Sequence, residues 1–218
     1  MENWLNDLLS ATNRIIYSQW ATLGANVAVA PCERSVVDPE ALVVATCAFG
    51  RYDARIFDEA MDWTLGNHGL LKPWRLKKIA RSFGGNVQRT LGAVLSYLEE
   101  RENKGLFPGV QSEARAALDK AEVEALFWKE ASLYRTGSRK REPVFTEWKL
   151  LRAEPRIRMH SGAPDMRNPG NLMTRLRKYY GTGAKADVIT YLLTSKGGSS
   201  KEIAYKVKYN QKSVYEVL

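Results

Sequence analysis

Three carboxylates lie close together at Asp58, Glu59 and Asp62. On a helix, positions 58 and 62 share a face, and acids clustered in this way can hold Mg²⁺. Arg55 stands nearby as a pairing partner for Asp58 or Glu59, and no further acid follows at a recognisable spacing, so the expectation is a solvated helix face. The two thiols, Cys32 and Cys47, would need His68 or His160 as a base to serve as nucleophiles, and no spacing joins them. Neither cysteine belongs to a CxxC pair, which leaves no disulfide framework and no zinc pattern and points to small buried side chains in a reducing cytoplasm. His68, between Asn67 and Gly69, is placed to satisfy the last carbonyls of a helix. Gly84-Gly85 and Gly197-Gly198 lack the Lys-Ser/Thr of a phosphate loop and the strand that should precede it, and read as helix stops. The expectation is a protein that is not an enzyme and uses no cofactor and no metal.

The remaining chemistry is recognition of a polyanion. The 218-residue chain carries a net charge of +9, unevenly spread. Residues 1–130 hold 15 Lys and Arg against 17 Asp and Glu, whereas residues 131–218 hold 18 against 7. Such asymmetry assigns the polyanion to the carboxy-terminal part and leaves folding support or partner contact to the rest. With 44% hydrophobic and 26% charged residues the composition is globular. No stretch approaches the roughly 18 consecutive apolar residues of a membrane helix, and the amphipathic amino terminus, with acids before its first base, is unlike a secretory signal.

The elements that must position these residues are mostly helices. Trp4, Leu5, Leu8, Leu9, Ile15, Ile16 and Trp20 recur at helical intervals, predicting a first helix that packs on the next unit. Asp38-Pro39 starts a second helix, over residues 41–49, and Asp53 caps a third, over 54–65. Residues 74–83 and 87–101 follow, separated by glycine stops. Three short helices between Asp38 and Phe83 suit a helix-turn-helix-like bundle, winged or not, and turn chemistry alone does not separate that from any small helical domain. Residues 111–133 read as a further helix with Leu118, Val123, Leu126, Phe127 and Trp128 inside. A basic loop, TGSRKREP, leads to an extended segment over 144–158 and a Pro/Gly-rich connector over 161–170. Arg139, Lys140, Arg141, Arg152, Arg156 and Arg158 are candidates to widen the basic footprint or simply to solubilise it.

Asn168-Pro169 then opens a helix whose apolar face is expected from Leu172, Leu176, Tyr179 and Tyr180, with Arg175, Arg177 and Lys178 outward. The next helix, over 184–194, has Val188, Ile189, Leu192 and Leu193 as its expected core stripe. The last segment is SSKEIAYKVKYNQKSVYEVL, opening on a capping box of Ser199 with Glu202. Ile203 and Val207 form the inner face of one helix, Ala204 is the small residue at a helix crossing, Tyr209 follows a turn, and Val214 and Val217 face inward from a second helix. This segment of about twenty residues resembles the helix-turn-helix family of bacterial regulators, in its winged-helix branch. Two features depart from the pattern: Lys208 stands where the family's turn usually has Gly, and the chain stops at Leu218 without residues for a wing, so the module is expected to be truncated or its wing supplied differently.

The resemblance implies that the second helix enters the major groove and reads base edges through Asn210, Gln211, Lys212, Ser213 and Tyr215. It likewise implies that Ser199, Ser200 and Lys201 grip phosphate, with Lys206, Lys208 and Arg177 as further phosphate contacts. The expected fold class is mainly α: small helical domains, little strand, and a winged-helix-like helix-turn-helix at the carboxy terminus. Domains are expected at 1–105 (helical, winged-helix-like in one reading), 106–167 (linking helix and extended basic segment) and 168–218 (DNA-binding). The expected function is sequence-specific binding of double-stranded DNA by a cytoplasmic transcriptional regulator, repressor-like or antitoxin-like. A homodimer is expected, with no membrane partner and with the amino-terminal domain as a protein-contact surface. The alternative is a winged-helix protein-interaction module without DNA contact.

Overall fold

A computed structural model describes residues 2–119, 121–128 and 140–218, without the side chains of residues 2, 3, 5 and 6. The first helix, α1 (Glu2–Leu23), is two-sided along its length. Ile16, Trp20 and Leu23 are buried, whereas Trp4, Leu8 and Ile15 are exposed, so the expected packing of α1 on its neighbours holds only from Ile16 onward. Trp20 donates its indole N–H to Thr46 Oγ1 at 2.9 Å, and Trp63 donates to the carbonyl of Leu23 at 2.6 Å, satisfying an otherwise orphaned helix-end acceptor.

The centre of the protein is α2 (Pro39–Phe49), capped by Asp38, whose carboxylate accepts from the Ala41 N–H. Around it lie α3 (Ala54–Gly66), capped by Asp53, α4 (Pro73–Ala80) and α5 (Gly85–Glu102). His68 Nδ1 sits 3.0 Å from the Leu65 carbonyl, the helix-end role its neighbours suggested. Gly92 lets α5 approach α7 (Pro143–Glu147) and the residue after it: a Cβ there would lie 2.3 Å from the Trp148 ring.

The helix expected over residues 111–133 is not continuous among the described residues. After the short α6 (Val110–Ala114), the chain turns and enters a two-residue strand, β1 (Glu124–Ala125), which pairs in parallel with β2 (Leu150–Leu151). Arg51 takes the carbonyls of Leu126 and Ala125 at 2.9 and 3.0 Å, and Arg89 takes that of Glu122 at 2.8 Å. With its acceptors claimed by guanidinium groups the segment has no need of a helical ladder. Leu126 and Phe127 are buried as expected, but Val123 and Trp128 are exposed. Residues 129–133 lie outside the described residues. The expected extended segment begins only at Leu150, because Glu142 caps α7 by accepting from the Phe145 N–H.

Beyond β2 the chain runs as a strap across α3, and the acids expected to be solvated are what hold it. Asp58 accepts from Arg152 at 2.6 Å and from the Arg156 N–H at 3.0 Å. Asp62 accepts from the backbone N–H groups of Arg158, Met159 and Ser161. Arg152 is buried over the rings of Phe57, Phe127 and Phe145, which removes it from any surface footprint.

Four helices complete the chain: α8 (Leu172–Tyr180), α9 (Ala184–Thr194), α10 (Ser200–Val207) and α11 (Gln211–Tyr215). One continuous apolar core runs from Ile16 to Ile157, and a second, smaller one joins Val188, Ile203, Ala204, Val207, Tyr209 and Val214 with Trp74 of α4. The expected face of α8 holds only in part: Leu172 and Leu176 are half-buried and Lys178 is exposed, but Tyr179 and Tyr180 are exposed too, while Met173, Thr174 and Arg177 are buried. On α9 only Val188 of the expected stripe is fully buried, and Leu192 and Leu193 are exposed. The fold is mainly helical, and β1 and β2 are the only strands among the described residues, so neither helical region carries a wing there.

Candidate nucleic-acid interface

The capping box opening α10 is fully formed. Ser199 Oγ accepts from the Glu202 N–H and Glu202 accepts from the Ser199 N–H, so two orphan donors are satisfied reciprocally. Lys208 ends α10 in the left-handed region at φ 64°, the conformation a turn glycine would take. Its ammonium lies 4.5 Å from the centre of the Tyr205 ring, an attraction that offsets part of the backbone cost. Asn210 caps α11 by accepting from the Ser213 N–H at 2.7 Å. Ile203, Ala204 and Val207 of α10 and Val214 of α11 turn inward, as does Tyr209 between them. The result is a helix, a three-residue turn and a second helix on a shared core.

Burying these residues leaves Lys201, Tyr205 and Lys206 of α10, and Asn210, Gln211, Lys212 and Tyr215 around α11, exposed. Two of the expected base-reading groups already spend part of their hydrogen-bonding capacity internally. Gln211 donates its amide to Ser200 Oγ at 2.9 Å, and the Asn210 side-chain oxygen holds its own helix. Ser213 is half-buried. Lys212 and Tyr215 project with no such commitment among the described residues.

Arg177 is a correction. Expected as a phosphate contact, it is wholly buried and donates to Asp187 through Nε and Nη2, both at 2.8 Å. Its Nη1 donates to Glu40 at 2.9 and 3.0 Å and to the Leu70 carbonyl at 2.7 Å. The physical reason is that Glu40 and Asp187 are themselves fully buried and need a cation. Arg75 shares the task, reaching Glu40 at 2.7 Å and pairing with Asp38. Burial pushes the Glu40 carboxyl up, only partly countered by Arg177 and Arg75. Burial also opposes ionisation of Asp38, but its bonds to Arg75 outweigh this and hold it low. Tyr209 donates to Asp187 at 3.1 Å, and burial beside that carboxylate pushes the phenol up.

This network fixes the helix pair to the rest of the protein. Arg75 Nε donates to the Val207 carbonyl at 3.1 Å, at the end of α10. Trp74 meets the Tyr209 ring edge-on at 5.0 Å between centroids, and Lys78 reaches the Tyr209 carbonyl at 3.4 Å. One face of α4 therefore grips the turn. Sequence reasoning missed Lys78 and Arg81, because nothing in their spacing shows that α4 lies beside the turn. Partial burial, then the nearby charges of Lys208 and Arg81, lower the Lys78 pKa, so these cations crowd one another. Arg81 is engaged with Glu113.

Lys140, Arg156 and Arg158 are exposed and line an open cleft of about 930 Å³ beside Arg55 and Glu59 on α3. Arg141 also lines it, and Arg139 lies outside the described residues. Among the described residues no three His, Cys, Asp or Glu side chains are grouped to hold a metal ion, and no helix is long and apolar enough to cross a membrane. Cys47 is buried, which pushes its thiol up to about 12. No protein-family model, curated protein or solved structure matches the chain.

Proposed function

We propose that α10 and α11 form a DNA-binding helix-turn-helix, and that the protein is a regulator that binds double-stranded DNA sequence-specifically as a homodimer. The observation that carries this reading is the division of the pair into two sides. Ile203, Ala204, Val207, Tyr209 and Val214 are used up in the core with Trp74 and Val188, while Lys201, Lys206 and Lys212 remain outside with Gln211 and Asn210. Lysines near both helix starts suit phosphate, and the amides suit a base edge. Lys78 and Lys208, beside the turn, extend the phosphate-facing charge. A gripped turn favours recognition, since a reading helix must be held rigidly to discriminate.

A second reading, docking of a protein partner, draws on the exposed aromatic rings Tyr205 and Tyr215 on the same helices. The two separate in a salt titration of binding to duplex DNA. Lys201→Ala and Lys212→Ala should each lower the log–log salt slope by about 0.9 if the residue neutralises a phosphate. Gln211→Ala should cost roughly 1–3 kcal/mol on a preferred site and little on random duplex. An unchanged slope in both lysine variants would remove the helix pair from the DNA interface and favour the protein partner.

A further inference from the structure

From Trp4 to Ile15, α1 carries an apolar stripe that none of the described residues covers. Trp4, Leu8 and Ile15 are 60%, 54% and 58% exposed, and Ala11 between them is exposed as well. The spacing 4, 8, 11, 15 alternates four and three residues, the heptad rhythm of a helix that packs along another helix. Ser18 and Thr22 continue the line, and there the segment at Cys32 closes over it: the Cys32 N–H donates to Thr22 Oγ1 at 2.7 Å, and Thr22 is buried. The open stretch is therefore confined to residues 4–15.

We propose that this stripe is a self-association surface, on which α1 of a second copy packs antiparallel about a two-fold axis. Charge selects the occupant and its direction. Asp7 and Arg14, seven residues apart, flank the same edge of the stripe, both exposed and neither ion-paired among the described residues. In an antiparallel pair each edge meets its own copy, which sets Asp7 against Arg14 of the second chain, and Arg14 against its Asp7. In the same register Trp4 lies against Ile15 and Leu8 against Ala11, so large residues meet smaller ones across the axis. A parallel pair would lose both ion pairs. It would also bring the two helical bodies, each attached to the carboxy-terminal half of α1, to the same end.

The inference rests on the dimer reading above but not on DNA, and its test uses none. Sedimentation equilibrium of the full chain over a concentration series should show a monomer–dimer equilibrium. Leu8→Glu should abolish it with circular dichroism unchanged, since the side chain touches no core. Asp7→Arg and Arg14→Asp should each weaken the dimer by about tenfold at low salt, two pairs being turned into repulsions. The double swap should restore most of the loss, which only an antiparallel pair does. A chain that stays monomeric at its highest soluble concentration, a dimer indifferent to Leu8→Glu, or a double swap no better than the singles would overturn the proposal. Each of these outcomes leaves duplex binding by α10 and α11 untouched, since the salt titration tests that separately.

Discussion

Replacing Arg177 by methionine separates a structural cation from a DNA contact. Methionine fills much of the stem volume but donates nothing. The substitution removes two bonds to Asp187, two to Glu40 and one to the Leu70 carbonyl. Asp187 keeps the Tyr209 hydroxyl at 3.1 Å and the more distant Arg75 Nε at 3.7 Å. Glu40 keeps Arg75 at 2.7 Å and the Lys72 N–H at 2.8 Å. The buried Glu40 and Asp187 and the partly exposed Asp38 would then share Arg75 alone within the cluster. Breaking a buried pair by deleting one partner costs about 3–5 kcal/mol, mostly through the charge left behind. Against a total stability of about 5–15 kcal/mol that is a large fraction.

In urea denaturation the midpoint should fall by on the order of 1–2 M. Adding Asp187→Asn should recover part of the loss, because the uncompensated charge goes with it. A surface phosphate contact would behave in the opposite way, lowering the salt slope of DNA binding by about one and leaving the midpoint alone. An Arg177→Met protein within about 1 kcal/mol of the parent would refute the buried network as a source of stability.

Three other outcomes follow from single positions. Gly92→Ala places a Cβ 2.3 Å from the Trp148 ring and 2.9 Å from Ala114 Cβ, so α5 must shift; a loss of roughly 1–3 kcal/mol is expected in thermal unfolding, and an unchanged midpoint would contradict that close approach. Lys208→Gly relieves a left-handed lysine and should stabilise by roughly 0.5–1 kcal/mol while weakening duplex binding; destabilisation would mean that the contact with Tyr205 outweighs the backbone strain. Burial works against the Asp62 carboxylate, but the backbone N–H groups of Ser161, Met159 and Arg158 outweigh it and hold its pKa low. The native value thus lies below the unfolded one of about 3.9, so the contribution is full above that pH and is lost as pH falls through the native value. Asp62→Asn should be less stable than the parent at neutral pH, with the gap closing in acid; a gap constant with pH would show that ionisation of Asp62 is not what holds the strap.

Local signals that depend on near neighbours survived into the structure. Asp38-Pro39, Asp53 and the Ser199–Glu202 box start helices because a cap needs only residues three positions apart. The inward set Ile203, Ala204, Val207, Tyr209 and Val214 was readable for the same reason. What failed depended on partners far along the chain. Residues 111–133 have helical composition, yet Arg51 and Arg89, distant in sequence, claim the carbonyls of Glu122, Ala125 and Leu126. Asp58 and Asp62 share a helix face as expected, but whether that face meets solvent or a strap is decided by residues 152–161.

The placement of Arg177 inside α8 and of its two tyrosines outside shows why charge is the hardest of these to read. A helix with Leu172, Leu176 and two tyrosines on one side and three cations on the other obeys the usual pattern of apolar inside and basic outside. That pattern assumes that no acid is buried elsewhere. Glu40, one residue after a helix-starting proline, looks like an ordinary first-turn acid that favours a helix amino terminus. Once α2 becomes the central helix of the bundle, Glu40 is enclosed on all sides, and its charge must be met from the neighbouring helices. Arg75 of α4 and Arg177 of α8 meet it, so the faces that carry them are turned inward. Through Arg75 the same requirement extends to the Val207 carbonyl at the turn between α10 and α11. The proposed DNA-binding pair is thus tied to the buried acid on α2 through Arg75, beside its contacts with Trp74, Lys78 and Asp187.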